Sequence, residues 1–289
     1  MLPFAVTKRL TLAAAAAALT AACSPLSMFA TLSPKDPSSM VARGQPYGAG
    51  PRQRLDVYAP RGAQGAAPVA VFFYGGSWDS GRRQDYGWVG RALASRGFVT
   101  VVADYRIYPE IRYPGFLEDG AQAVKWARDH AGQYGGDPSR IVLAGHSAGA
   151  YNAVMLGLDG RYLKAAGVDP RTVKAVAGVA GPYDFVPFDD PIAKRIFGKT
   201  DDPPATQPMA YVTKDSPAAF LATGDADTVV YPRNTTALAK KLREAGVPVE
   251  ERHYPGVGHV RILLALSRPL RGEVPVLDEM TDFLRDHAD

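Results

Sequence analysis

Apolar residues along this chain gather in short runs separated by longer stretches with a helical period. Val69 to Phe73 is a continuous apolar run, and Ile141 to Ala144 is another. A strand buried on both faces has no wet side to alternate with, so such runs predict interior strands. Leu55-Asp56-Val57-Tyr58 alternates as a short strand does, and further strands are predicted at Phe98–Ala103, Val173–Val179, Ala219–Ala222 and Val249–Tyr254. Between them, apolar positions spaced by three and four predict helices across Tyr86–Arg96, Phe116–Gln133, Thr235–Ala245, Val260–Leu266 and Val276–Asp286. Asp137-Pro138 predicts a turn into the strand at Ile141. Parallel strands need crossover connections, so this alternation predicts an α/β fold with a mostly parallel sheet covered on both faces. Residues 186–218 break the rhythm with six prolines and no clear period. They predict a short cap-like insertion over the carboxyl edge of the sheet, where ligands of such folds bind.

The first 22 residues differ in kind. Lys8 and Arg9 precede an acid-free stretch of small and apolar residues from Leu10 to Ala22. This is the pattern of an export signal, with an apolar run too short for a comfortable permanent span. It ends at Leu19-Thr20-Ala21-Ala22-Cys23, which resembles a bacterial lipobox with Thr20 where Leu is preferred. The resemblance implies a lipidated Cys23 as the mature N-terminus, and Ser24 after it implies sorting to the outer membrane. A plain signal peptide with an incidental Cys23 is the alternative. Residues 24–50, rich in Ser, Pro and Gly, predict a flexible tether, leaving one domain over residues 51–289.

Composition removes several classes. The 289 residues suffice for one large core, and 46% hydrophobic with 10% aromatic content excludes bulk disorder. The net charge of +4 falls to +2 once Lys8 and Arg9 leave with the signal, and no Lys/Arg cluster exceeds three residues. Nucleic acid is therefore not an expected partner. A single cysteine forms neither an internal disulfide nor a thiolate zinc site.

The chemistry concentrates in Gly145-His146-Ser147-Ala148-Gly149, which follows an apolar strand and opens a helix. A nucleophile elbow needs this context, because the turn is tight enough to demand glycine two positions either side of the serine. With Tyr74-Gly75-Gly76-Ser77-Trp78, Asp104-Tyr105-Arg106, Tyr108-Pro109-Glu110 and Tyr134-Gly135-Gly136-Asp137-Pro138, the segment carries a resemblance. From about Arg52 to His287 the chain resembles the α/β-hydrolase superfamily. Within it the chain is similar to bacterial carboxylesterases grouped with hormone-sensitive-lipase-like enzymes, acetyl-xylan/feruloyl esterases and arylformamidases.

The resemblance implies an oxyanion hole from the main chain of Gly75, Gly76 and Ala148, with Ser77 as an alternative donor. It departs from the family at Tyr74, usually His, and at Ser77, often a third Gly. Of five histidines, His259 follows the flexible Pro255-Gly256-Val257-Gly258 after the last strand, where the family places its base. Gly224, Asp227 and Val230 match the family's Gly-x-x-Asp-x-x-Val, which assigns the acid to Asp227 and leaves Asp225 as a turn former. Ser77, Trp78 and Tyr183 are candidates for the substrate pocket. The expectation is a serine carboxylesterase for small short-chain esters, using no metal and no cofactor. An arylformamidase with the same triad and a catalytically silent surface binding protein are the alternatives.

Overall fold

The computed structural model describes residues 24–62 and 66–289. The export signal and Cys23 lie outside the described residues. Eight strands form one sheet: β1 (Ser38–Pro46), β2 (Arg54–Pro60), β3 (Ala67–Phe73), β4 (Val99–Ala103), β5 (Gly136–His146), β6 (Val173–Val179), β7 (Ala218–Gly224) and β8 (Val249–Tyr254). Their order is β1-β2-β4-β3-β5-β6-β7-β8. β1 and β2 pair antiparallel, as do β2 and β4, and every later pairing is parallel. The apolar runs of the sequence are the central strands. From Val69 to Phe73 and from Ile141 to His146 every residue is buried, as sheet interiors covered on both faces must be.

Crossover helices supply that cover. On one face α2 (Gly87–Ser95) packs on β2 and β4 and touches α9 (Val276–Asp286), which packs on β6 and β7. On the other face α3 (Gly115–His130) and α4 (Ala148–Leu158) pack on each other and on β3 and β5. There α5 (Gly160–Ala165) packs on α3 and α4, and α7 (Arg233–Glu244) covers β7 and β8. The order β4-β3-β5 means the chain reverses direction across the sheet at β3 and β5, the place where α/β sheets open a crevice at their carboxyl ends.

Two expectations are corrected. Residues 24–50 are no tether: they build α1 (Pro25–Leu32) and the edge strand β1. The Ser and Gly that suggested a linker are structural devices. Ser24 caps α1 by accepting from Ser27 N–H at 3.1 Å, and Gly44 donates its N–H to Asp56 at 2.7 Å within the irregular register of β1. Ser27 donates its hydroxyl to Asp85 at 2.7 Å, the Phe29 ring meets Trp88 edge-on at 5.3 Å, and Arg271 grips Asp36 through bonds of 2.8 and 2.7 Å. The second correction is local. Asp137-Pro138 does not precede β5 but lies inside its first residues, where the Asp137 carboxylate accepts from Ser139 N–H. The insertion at 186–218 contains α6 (Pro191–Phe197) and two short 3₁₀ turns. The remaining helix, α8 (His259–Leu264), begins at the last loop of the site.

Candidate active site

Ser147 sits between the carboxyl end of β5 and the first turn of α4, with φ 56° and ψ −125°. A non-glycine residue holds such a backbone only when its surroundings force it. Here they do. A Cβ at Gly145 would lie 2.2 Å from Gly149 O, and one at Gly149 would lie 2.1 Å from Phe73 O. Ser147 N–H is tied to Val179 O on β6 at 2.9 Å. Strand and helix therefore close so tightly that the serine hydroxyl must project from the sheet edge.

Two further loops reach that hydroxyl. His259, the first residue of α8, places Nε2 at 2.9 Å from Ser147 Oγ and Nδ1 at 2.7 Å from Asp227 Oδ2. Asp227 follows β7 and is buried, and its other oxygen accepts N–H bonds from Val229 and Val230, each 2.9 Å. Burial alone would raise the Asp227 pKa, but the His259 bond and the two amides outweigh it and hold the carboxyl below its ordinary value. An anionic Asp227 fixes a proton on His259 Nδ1 and leaves Nε2 free to accept one from the serine. Asp225 is outside this line, 3.3 Å from His253 Nδ1 and exposed. Its side chain faces that histidine instead of its own loop's backbone. The structure thus brings together Ser147, His259 and Asp227, residues 112 and 32 positions apart.

The turn Tyr74–Trp78 leaves the carboxyl end of β3 beside the serine. Gly76 has φ 126°, and a Cβ there would sit 2.4 Å from Ser80 O; Ser77 and Trp78 are both left-handed, at 53° and 57°. This coil turns amide groups toward the cleft. The N–H groups of Gly75, Gly76, Ser77 and Ala148 have no protein acceptor among the described residues. The residues first assigned to an oxyanion, Gly75, Gly76 and Ala148, thus all keep free amides beside the serine, as does the alternative, Ser77.

Trp78 is almost fully buried, stacked on Phe116 at 5.7 Å and donating Nε1–H to Asn152 at 3.0 Å, so it mainly packs under the turn while its edge reaches a cleft. Tyr183 is not a pocket residue. It is wholly buried with its hydroxyl against Gly178 and Gly181, where any Cβ would collide, and the neighbours Asp184 and Phe185 face the cleft in its place.

One residue at the site was underrated in the sequence. His146 has its ring 4.8 Å from that of His259, and its Nε2–H donates to His259 O at 3.0 Å. Burial and then the neighbouring His259 push its pKa down to about 3, so it is neutral at ordinary pH and braces the backbone of α8. Its position between Gly145 and Ser147 was the available signal. The other histidines serve locally: His130 and His287 bond to carbonyls of their own helices, and His253 bonds to Glu251.

Known proteins share this framework. The BD-FAE family model matches residues 55–242, more than half of the chain. A rice protein (Oryza sativa subsp. japonica), described as a probable isoprenylcysteine alpha-carbonyl methylesterase, ICMEL1, is 31% identical over 260 residues, covering 81% of this chain and 60% of its own. Esterase LipC of Mycobacterium tuberculosis is 32% identical over 234 residues, covering 74% of this chain and 58% of its own. The chain thus spans about three fifths of the length of these curated relatives. Among solved structures, an inhibited esterase B from Lactobacillus rhamnosis superposes with a TM-score of 0.75 at 20% identity, covering 96% of each chain. A Pyrobaculum calidifontis esterase gives 0.72 at 23%, covering 90% of this chain and 88% of the other. The family model covers residues 55–242, and by that match the chain belongs to the BD-FAE family, with the fold of the solved esterases it superposes on.

Proposed function

We propose that this protein is a serine carboxylesterase that hydrolyses short-chain carboxylic esters through an acyl-enzyme. The observation that carries the reading is the continuous line Ser147 Oγ, His259 Nε2, His259 Nδ1, Asp227 Oδ2, with bonds of 2.9 and 2.7 Å. Ser147 attacks the ester carbonyl while His259 takes its proton. The oxyanion settles among the amides of Gly75, Gly76 and Ala148, with Ser77 as the alternative donor, dipoles already in place before the charge develops. His259 then protonates the departing alcohol, and water repeats the sequence to release the acid. Curated relatives named as esterases support this, as does an insertion at 186–218 too short to form a large lid.

The test is organophosphonate labelling beside nitrophenyl esters of increasing acyl length and N-formylkynurenine. Labelling at Ser147 with turnover peaking between two and six acyl carbons is expected. A peak on long-chain emulsions would remove the short-chain assignment, and preferred turnover of the formamide would replace ester with amide chemistry.

The same proposal places the mature chain on a membrane, with lipid on Cys23 and sorting to the outer membrane. Support is confined to the sequence, where the sole cysteine ends an acid-free apolar segment. Cys23→Ser should release activity from the membrane fraction or leave the chain unprocessed. An unmodified N-terminus after residue 23 in mass spectrometry refutes the anchor and leaves the catalytic assignment standing.

A further inference from the structure

Two clefts meet at Ser147, and their walls differ in chemistry. The larger, about 530 Å³, contains His259 and is walled by Leu26 and Phe29 of α1, Leu263 and Leu264 of α8, and Val229 and Val260. The smaller, about 360 Å³, contains Ala148 and not His259, and its walls include Asp184, Asp189, Asp190 and Arg233. The first is a hydrocarbon slot and the second is mixed and charged.

Proton bookkeeping assigns them. When Ser147 Oγ bonds to the carbonyl carbon, its proton passes to His259 Nε2 and the carbonyl π pair becomes the oxyanion. When the carbonyl re-forms, the bond from carbon to the alkoxy oxygen breaks, and that oxygen keeps the electron pair and takes the proton back from Nε2. The alkoxy arm must therefore lie on the His259 side, and the acyl arm on the side of Ala148. Resting on the serine-esterase reading, we propose that the cleft walled by α1 is the subsite for the alcohol half of the ester, and that it selects esters of extended apolar alcohols.

The helix behind residue 23 thereby becomes a specificity element. It is a fixed wall and not a lid: the Ser24 cap, the Ser27–Asp85 bond and the Arg82 Nη2 bond to Ser27 at 3.0 Å fasten it to the segment that follows the Tyr74–Trp78 turn. Leu26 and Phe29 are half-buried on the side facing α8 across the slot. The rim is apolar too, with Val229 67% and Val260 59% exposed, so the mouth admits a chain that continues beyond the slot. Burying each added methylene against such walls is worth roughly a three- to fourfold gain in kcat/KM.

The experiment compares two ester series on the full chain. Acetates of methyl, butyl, hexyl and octyl alcohol should rise by about that factor per methylene until the slot fills. Ethyl esters of acids from two to eight carbons should lose their gain beyond the short acids. Leu26→Trp should shorten the preferred alcohol by two or more carbons, and Leu264→Trp, on the opposite wall, should do the same if the first variant does not fold. Neither change should move the acyl optimum. A shift of the acyl optimum instead would make this cleft the acyl subsite, and a flat alcohol series in a labelled, active enzyme would overturn the inference alone. Absence of both labelling and turnover would remove the esterase reading with it.

Discussion

The elbow at Gly145–Gly149 and the turn at Tyr74–Trp78 abut so closely that a Cβ on Gly75 would lie 3.0 Å from Ser147 Cβ, yet they are held by opposite means. The elbow is fixed by exclusion. Its glycines leave no room for side chains, and its strand and helix supply the rest. The turn is fixed by attachment to buried charge. Tyr74 donates its hydroxyl to Asp104 at 2.8 Å and accepts from Arg52 at 3.0 Å, while its ring stacks on Tyr105 at 4.9 Å and on Tyr86 at 5.2 Å. Asp104 also accepts Arg83 N–H at 2.6 Å, and the Arg83 guanidinium bridges Asp104 and Asp56 at 2.5 and 2.9 Å. Where the family usually has His, this chain thus uses a tyrosine moored to an Arg–Asp network. Main-chain crowding tolerates no substitution, whereas a charge network can be weakened by degrees.

That contrast can be broken first at its centre. Ser147→Ala should lower kcat by about a millionfold and abolish phosphonate labelling, with the thermal midpoint little changed. Labelling that persists would displace the nucleophile. Next in size, Asp227→Asn should cost about 10⁴-fold in kcat, because it disfavours the imidazole tautomer with a proton on Nδ1. Asp225→Asn should stay within about twofold, since Asp225 faces His253 and not His259. If the two losses were reversed, the acid assignment would be wrong.

The attached turn should respond more gradually. Asp104→Asn leaves Arg83 partly uncompensated and should cost about 3–5 kcal/mol of stability by denaturant titration. In enzyme that remains folded, kcat should fall by up to about a hundredfold with KM nearly unchanged, the pattern of a disturbed transition-state contact. A rise in KM alone would place the network's role in substrate binding.

The smallest effect distinguishes His146. Below its ordinary 6.5 the unfolded chain takes up a proton there that the folded chain refuses until about pH 3. Stability should therefore decline as pH falls from about 6.5 toward 3, since the unfolded state binds more protons. His146→Gln should flatten that decline in acid titrations of unfolding, and an unchanged slope would show that other groups govern it. Asp227 acts in the same direction at lower pH: its depressed pKa gives stability that is present above the ordinary carboxylate range and lost as pH falls through the folded value.

The same contrast explains what the sequence made legible. Exclusion leaves contiguous marks, so the elbow and the apolar interior strands could be read from local pattern, while Asp227 and His259 were placed by the family resemblance that the elbow carries. Attachment leaves scattered ones. Nothing adjacent to Tyr74 announces Asp104, Arg83 or Asp56, which are 30, 9 and 18 positions away. The N-terminal elements were hidden for a related reason. β1 is an edge strand with bulged register and no alternating apolar face, and α1 is only eight residues long. Tertiary contacts hold both, and composition alone then resembles a linker. Tyr183 shows the converse error, since a loop position near the site does not reveal that its ring turns inward beneath β6.

Ser24 caps α1 and also lines the larger cleft. An extended tether over residues 24–50 would let a lipid-anchored domain wander roughly 90 Å from its point of attachment. With α1 starting at Pro25, that slack is gone. A lipid on Cys23 would pivot the body about a single residue and hold the slot's mouth against the leaflet. Encounter would then be two-dimensional, governed by lateral diffusion and by the mole fraction of ester in the surface. Diluting such a substrate with inert lipid would slow the enzyme, and diluting the whole suspension with buffer would not.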